Sequence, residues 1–421
     1  MNLNQHTSFL KGVLFHSLSA FGGPQAHLSL LQSRFVEKRK ELSSETLMEF
    51  NALCQMLPGA TSTQTLILIA YKKGGYTLAL LTLLVWLMPA CSIMTLIAIL
   101  YSNPLLKNSF RVLVYLKPMS IAFIISATLT LYSKAIYNTI TQFILIATFI
   151  IVLVGFKSPW TIPLLIIFGG IATNFSKKRI PTMQVEKIKI NTRPIIFFLI
   201  LFLTAGFLSE RASKQNWPHQ KVFNLFETNY RFGTFVFGGG DVLVPLMYEQ
   251  YVSRPLSSKI IQSKRQVIKI SSEEFLTGVG IGRVLPGPVW SITSYTGAMA
   301  VKNNEVTWQI MGAIIATLGA FLPSFFIVLF AFPIWESMKK FAIVYRSLEG
   351  INASVVGIML GASIYFLKDL AQSIQVNNSS IITINLCILL ASTYLLYTKK
   401  IATHWLVLCV ISIGAISQFF Q

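Results

Sequence analysis

Phe21-Gly22-Gly23-Pro24 returns as Phe237-Gly238-Gly239-Gly240, 216 residues later. Outward from this pair the match continues. Phe35-Val36 pairs with Tyr251-Val252 at the same shift. Ser43-Ser44-Glu45 and Leu57-Pro58-Gly59 return as Ser271-Ser272-Glu273 and Leu285-Pro286-Gly287, a shift of 228. Leu87-Met88-Pro89-Ala90 then matches Phe321-Leu322-Pro323-Ser324 at 234. The first insertion falls in the loop 253–270. An ordered series of this kind marks an internal repeat. It divides the chain into a first membrane repeat (1–175), a basic linker with one extra transmembrane helix (176–220), and a second membrane repeat (221–421).

The repeat sits in an apolar chain. Of 421 residues, 53% are hydrophobic and 12% charged, about half the usual charged share of a soluble domain. That composition excludes a soluble enzyme. The net charge of +20 would suggest nucleic acid in a soluble protein. Between long apolar runs it reads instead as basic loops beside anionic lipid, and no nucleic acid is expected. Four scattered cysteines form no CxxC pair, and the five histidines form no HExxH motif. No phosphate loop is present. The sequence therefore predicts no enzyme, no metal and no cofactor. The opening Met-Asn-Leu-Asn-Gln-His does not read as a cleavable signal peptide.

A spanning helix needs about 20 mostly apolar residues. Segments 76–101, 112–133, 138–156 and 160–175 qualify before the linker. Segments 194–208, 306–333, 342–366, 379–397 and 401–420 qualify after it. Segments 10–31 and 221–250 are long enough but carry glycines and polar groups in their middles. Segments 46–71 and 273–300 each read as a short amphipathic helix, a Pro-Gly break and a short apolar helix. Ser271 to Glu274 supplies a capping box for the second of these. Pro58 and Pro286 stop the first helices by removing a donor and crowding the preceding turn. The expected class is an all-α polytopic membrane protein with two homologous helical repeats and Gly/Pro-broken helices.

Interrupted apolar segments at matching places in two halves point to a transporter's binding site. A broken helix leaves backbone N–H groups and the positive end of its dipole near the bilayer centre, which suits an anion. The candidate substrate-binding residues are Phe21, Gly22, Gly23, Pro24, Gln55, Pro58, Gly59, Gly238, Gly239, Gly240, Arg283, Pro286, Gly287 and Pro288. Arg283 stands beside the second Pro-Gly break, where the first half has Gln55, and a guanidinium suits an oxyanion. The alternative is a snorkelling or ion-paired arginine. Asp241, one of two aspartates, is the coupling candidate, with helix capping or pairing to Arg283 as alternatives. His27 reads as a satisfied buried histidine, and Glu227 and Arg231 as an i, i+4 pair. Lys117 and Glu349 read as snorkelling side chains near span ends.

Phe-Gly-Gly-Pro near the start, Leu-Pro-Gly with a following apolar helix, and a Pro-terminated span resemble the chromate ion transporter (CHR) family, over about residues 10–175 and 221–421. The chain is similar to the long, two-half type. One departure is Ala60 where the second half has Pro288. The resemblance implies a multi-pass inner-membrane protein exporting chromate, a tetrahedral dianion shaped like sulfate. The residues alone reach a small anion at broken helices. A sulfate or other small-anion transporter and an anion channel are the alternatives. A homodimer is open to such a chain.

Seven spans from 10–31 to 221–250, counting 46–71 as crossing, invert the second half. The extra helix 194–208 is then the inverter. Positive-inside counting conflicts, because Arg34, Lys38, Arg39 and Lys40 and the matching loop with Arg254, Lys259, Lys264, Arg265 and Lys269 are both basic. Re-entrant break segments would give parallel halves. Inversion is the reading kept here, since it suits alternating access.

Overall fold

The computed structural model describes residues 3–106, 109–155, 161–175, 191–237, 239–263, 267–338, 342–374 and 379–419. Among them every regular element is helical. The first half comprises α1 (Leu3–Ser19), α2 (Gly23–Leu31), α3 (Ser44–Met56), α4 (Thr61–Ser102), α5 (Leu116–Ala135), α6 (Thr139–Gly155) and α7 (Thr161–Ala172). Next come α8 (Arg193–Lys214), α9 (Gln220–Phe235), α10 (Leu243–Tyr248) and the short α11 (Ser258–Ser263). The second half closes with α12 (Ser272–Gly282), α13 (Ile292–Ala300), α14 (Val306–Met338), α15 (Ala342–Ile374), α16 (Ser379–Thr398) and α17 (Thr403–Phe419). Among the described residues, five stretches are long and apolar enough to cross a membrane: Thr61–Ser102, Ser109–Ala135, Arg193–Lys214, Val306–Trp335 and Arg346–Gln372. Most of the basic linker, residues 176–190, lies outside the described residues.

The expected punctuation is present. Ser43 accepts the Thr46 N–H at 3.2 Å to start α3. Ser271 and Glu274 form a reciprocal capping box on α12. At the far end of α3, Leu57 adopts extended angles (φ −97°, ψ 152°), because the residue before a proline is crowded out of the helical region. Helices α3 and α12, of 13 and 11 residues, are roughly 20 and 16 Å long. Neither reaches across a hydrocarbon core of about 30 Å. Helix α4 is itself interrupted at Gly74 and Gly75, whose angles leave the helical region. Its first piece is therefore the short apolar partner of α3, and its second is the long span expected from residue 76.

The halves exchange helices. The central α15 packs on α6 and α7 of the first half, and α5 packs on α16 and α17 of the second. Within each half, α1 lies along α4 and α9 along α14. Where α7 meets α15, Gly169 and Gly350 let the backbones touch; a Cβ on Gly169 would sit 2.6 Å from the Gly350 carbonyl oxygen. Helix α8 has no counterpart in the repeat and packs on α9 and α14.

Two interior polar contacts differ from the sequence reading. Lys117 does not snorkel. Its Nζ lies 2.8 Å from Asp369 Oδ2 across the two halves, with a side chain 10% exposed. Ser272 donates to the same carboxylate, and Tyr248 hydrogen-bonds Ser272. Glu349 is buried and accepts from the Asn138 amide. Each found a partner from the other half: Lys117 an opposite charge, and Glu349 an amide on Oε1 that leaves its buried Oε2 without a hydrogen bond.

Candidate functional site

The four breaks meet in two crossed pairs. Gly59 N–H donates to the Val236 carbonyl at 2.8 Å, and Gly287 N–H donates to the Ala20 carbonyl at 2.9 Å. Gly59 and Gly287 are repeat equivalents, and so are Ala20 and Val236. Each Pro-Gly break thus binds the glycine break of the opposite half. The side-chain surroundings cross in the same way. Gly59 faces Ser324 on α14, while Gly287 faces Ala90 on α4, the equivalent position. Both glycines hold positive φ, 119° and 114°, a region L side chains rarely enter.

Helices starting at these breaks lack side-chain caps of their own. No cap from the residue itself is found at Gly22 before α2, Ala60 before α4, Gly239 before the turn into α10, or Pro288 before the turn into α13, although Ser324 Oγ of α14 accepts the Ala60 N–H at 3.4 Å. This contrasts with the serine caps of α3 and α12. An uncapped start leaves N–H groups and the dipole's positive end available to an anion. Around the breaks, Gln64 donates to the Pro58 carbonyl at 2.8 Å. Ser17 donates to the Trp86 carbonyl at 2.8 Å, and the Trp86 indole donates to Thr63 at 3.0 Å. The buried Trp290 indole N–H lies beside Gly240 and has no acceptor.

Arg283 caps the C-terminal end of α12, and its guanidinium pairs with Asp241. It also lies 5.0 Å from the Phe123 ring centroid on α5. A cation over an aromatic face is attracted by the ring's quadrupole. Its side chain remains 13% exposed and that of Asp241 30%, so the pair is reachable. The pairing alternative raised for both residues is the observed arrangement.

Other candidates spread further. Gln55 is exposed near the end of α3, three residues before Pro58. Phe21 is 39% exposed, and its ring lies tilted against His404 of α17, with centroids 5.6 Å apart. Gly22 and Gly23 turn the chain with φ of 92° and 80°. Pro58, Pro286 and Pro288 frame the two Pro-Gly turns, and Gly240 packs against Val289 and Trp290. Gly238 and the side chain of Pro24 lie outside the described residues. His27 is buried and satisfied, with Nε2 3.0 Å from the Ala20 carbonyl and Nδ1 3.2 Å from Ser62 Oγ. That bond holds the same carbonyl that receives Gly287.

A polar cavity of about 350 Å³ lies elsewhere, between α8, α9 and the chain 250–268. No break residue lines it. Sequence reasoning paired Glu227 with Arg231, observed at 3.3 Å, but did not foresee the space they border.

Long apolar helices enclosing paired, uncapped breaks define a multi-pass membrane transporter. The chain belongs to the chromate transporter family, whose sequence profile matches residues 8–174 and 223–416. An uncharacterized transporter of Methanocaldococcus jannaschii is 25% identical over 94% of this chain and 90% of its own. A chromate transport protein of Pseudomonas aeruginosa is 22% identical over 91% of this chain and 85% of its own. That of Cupriavidus metallidurans is 22% identical over 83% and 79%. No solved structure matches the chain. The two matched segments correspond to the two repeats, and a role in chromate transport follows from the family.

Proposed function

We propose that the protein is a secondary transporter that exports chromate across the inner membrane, binding it where the crossed breaks meet. The observation that carries this is the pair of reciprocal junctions with uncapped helix starts beside Arg283. The helix starts offer N–H donors to the oxyanion, and Arg283 offers a forked cation. Asp241 holds that cation until the anion competes for it. An inside-negative potential favours outward movement of a dianion by about 4.6 kcal/mol per 100 mV. Export therefore needs no second driving force, whereas import would. Sulfate, with the same shape and charge, is the natural competitor. The two halves are inverted, with α8 as the unmatched crossing, so that the junctions open alternately to either side. A homodimer is compatible with this arrangement, since each chain carries a complete set of breaks.

Purified protein in liposomes tests the reading. The expected result is chromate flux that saturates, shows counterflow and speeds up with an outward-driving potential. Flux without saturation or counterflow would indicate a channel. No movement of chromate or sulfate under any gradient would overturn the proposal.

A further inference from the structure

Among the described residues, Glu249 is the most deeply buried carboxylate beside a cavity. It follows α10 on the helical stretch that begins at the Gly239–Gly240 break, and it is 4% exposed. Its Oε1 has no hydrogen-bond partner. A small space of about 20 Å³ is lined by Glu249, Arg231 and Gln250, with Ile162 and Pro163 of α7 opposite. That is room for one water, given the roughly 10–15 Å³ such a molecule needs. Arg231 and Gln250 also line the 350 Å³ cavity. The two spaces therefore share a polar wall formed by Arg231 and Gln250.

Among the described residues, the charged groups facing Glu249 are few. Arg231 of α9 shares its chamber, with Nε 3.3 Å from Glu227 Oε1 on the same helix. Arg254, past the end of its own stretch, donates to Gln250 Oε1 at 2.9 Å. Helix α7 presents only apolar side chains, and α8 contributes Glu210 to the far rim of the cavity. A buried carboxylate is costly unless it is paired or protonated. Here it has two ways out: a proton arriving through the cavity, or Arg231 turning from Glu227.

The matching positions of the first half carry neither carboxylate nor the inner arginine, and keep only the outer cation. Glu227, Arg231, Glu249 and Arg254 correspond to Lys11, Phe15, Ser33 and Lys38. The acidic chamber is a feature of the second half alone, beside the helix the repeat does not contain. It is also mechanically close to the anion site. Arg231 rides on α9, and the next residue after that helix, Val236, accepts the Gly59 N–H. Glu249 rides on the stretch that starts beside Asp241, the partner of Arg283.

We propose that Glu249 is a proton-exchange site, loaded from the cavity, whose protonation sets whether Arg231 pairs with Glu249 or with Glu227, and so links proton movement to anion transport. The proton passes between a carboxylate oxygen and cavity water, and no other bond changes. This rests on the transport reading above. Asp241, the coupling candidate from the sequence, is already engaged by Arg283.

The experiment uses the full chain in liposomes with an entrapped pH dye, comparing wild type with Glu249→Gln. Chromate itself takes up a proton near neutral pH, so the difference between the two proteins is the readout. The expected result is that E249Q keeps chromate counterflow within about twofold while its linked proton signal falls at least tenfold. An equal proton signal in both proteins overturns the proposal. Should E249Q fail to fold, carbodiimide labelling of the wild type decides. An adduct on Glu249 that rises as pH falls supports the proposal, and no adduct at any pH overturns it. If the wild type moves no chromate at all, the transport reading fails. If it moves chromate with no proton signal, only the inference fails.

Discussion

Gly287→Ala is the sharpest test of the crossed junctions. Gly287 sits at φ 114°, and a Cβ there would lie 2.8 Å from Ala90 Cβ on α4. Carbon atoms in contact prefer about 3.5–4.0 Å. Two costs combine. An alanine in a sparsely populated backbone region carries about 1–3 kcal/mol of strain. Overpacking against a helix of the other half adds about 1–3 kcal/mol. The expected loss is about 3 kcal/mol, roughly a hundredfold in the folded ratio. Gly23→Ala is the control, because its φ of 80° is also positive but nothing lies within 4 Å of the added carbon. It should lose the backbone part alone. Ala90→Gly combined with Gly287→Ala should recover the packing part and leave the strain, giving a coupling of about 1 kcal/mol. Thermal unfolding in detergent of the wild type, the single variants Gly287→Ala, Gly23→Ala and Ala90→Gly, and the double variant measures these terms. A Gly287→Ala protein as stable as wild type, or one that Ala90→Gly does not help, would refute the packing argument.

Three further outcomes are expected. Arg283→Ala should lower chromate flux in liposomes at least tenfold with the protein still inserted, and Arg283→Lys should recover part of it; unchanged flux in Arg283→Ala removes the arginine from the site. Ser271→Ala loses one side of the capping box and should cost about 1 kcal/mol in detergent unfolding with little change in flux; a null effect on unfolding would show that the cap is redundant. Single cysteines at Val36 and Gln262 should label from opposite sides of the membrane if the halves are inverted, and labels from the same side would establish parallel halves.

Much of the fold could be read from the chain because its signals are local. The prolines and glycines that break helices act within a turn, and the serine caps act within four residues. The matching order of these devices exposed the repeat. Which break meets which was not readable. The Gly59–Val236 and Gly287–Ala20 bonds join residues far apart in sequence through backbone atoms, which leave no trace in side-chain pattern. Lys117 and Asp369 are separated in the same way, and Lys117 alone reads as a charge near a span end. Glu249 had a signal that was available. It interrupts the apolar run Val242-Leu-Val-Pro-Leu-Met-Tyr248, and the reasoning that singled out Arg283 applies to it equally.

The junctions between halves are made by main-chain atoms, with glycine as the only residue they demand. That frees the side chains around them to differ. The first half places Gln55 and Ala60 where the second places Arg283 and Pro288. A duplicated frame can thus keep its geometry while its two copies specialise. One copy can become the chemical face, holding the cation and the acidic chamber, and the other a quiet counterpart that supplies shape. In such a pair, transplanting Arg283 and Asp241 onto the first half would ask whether the frame tolerates two charged faces, or whether a single one is what gives the passage its direction.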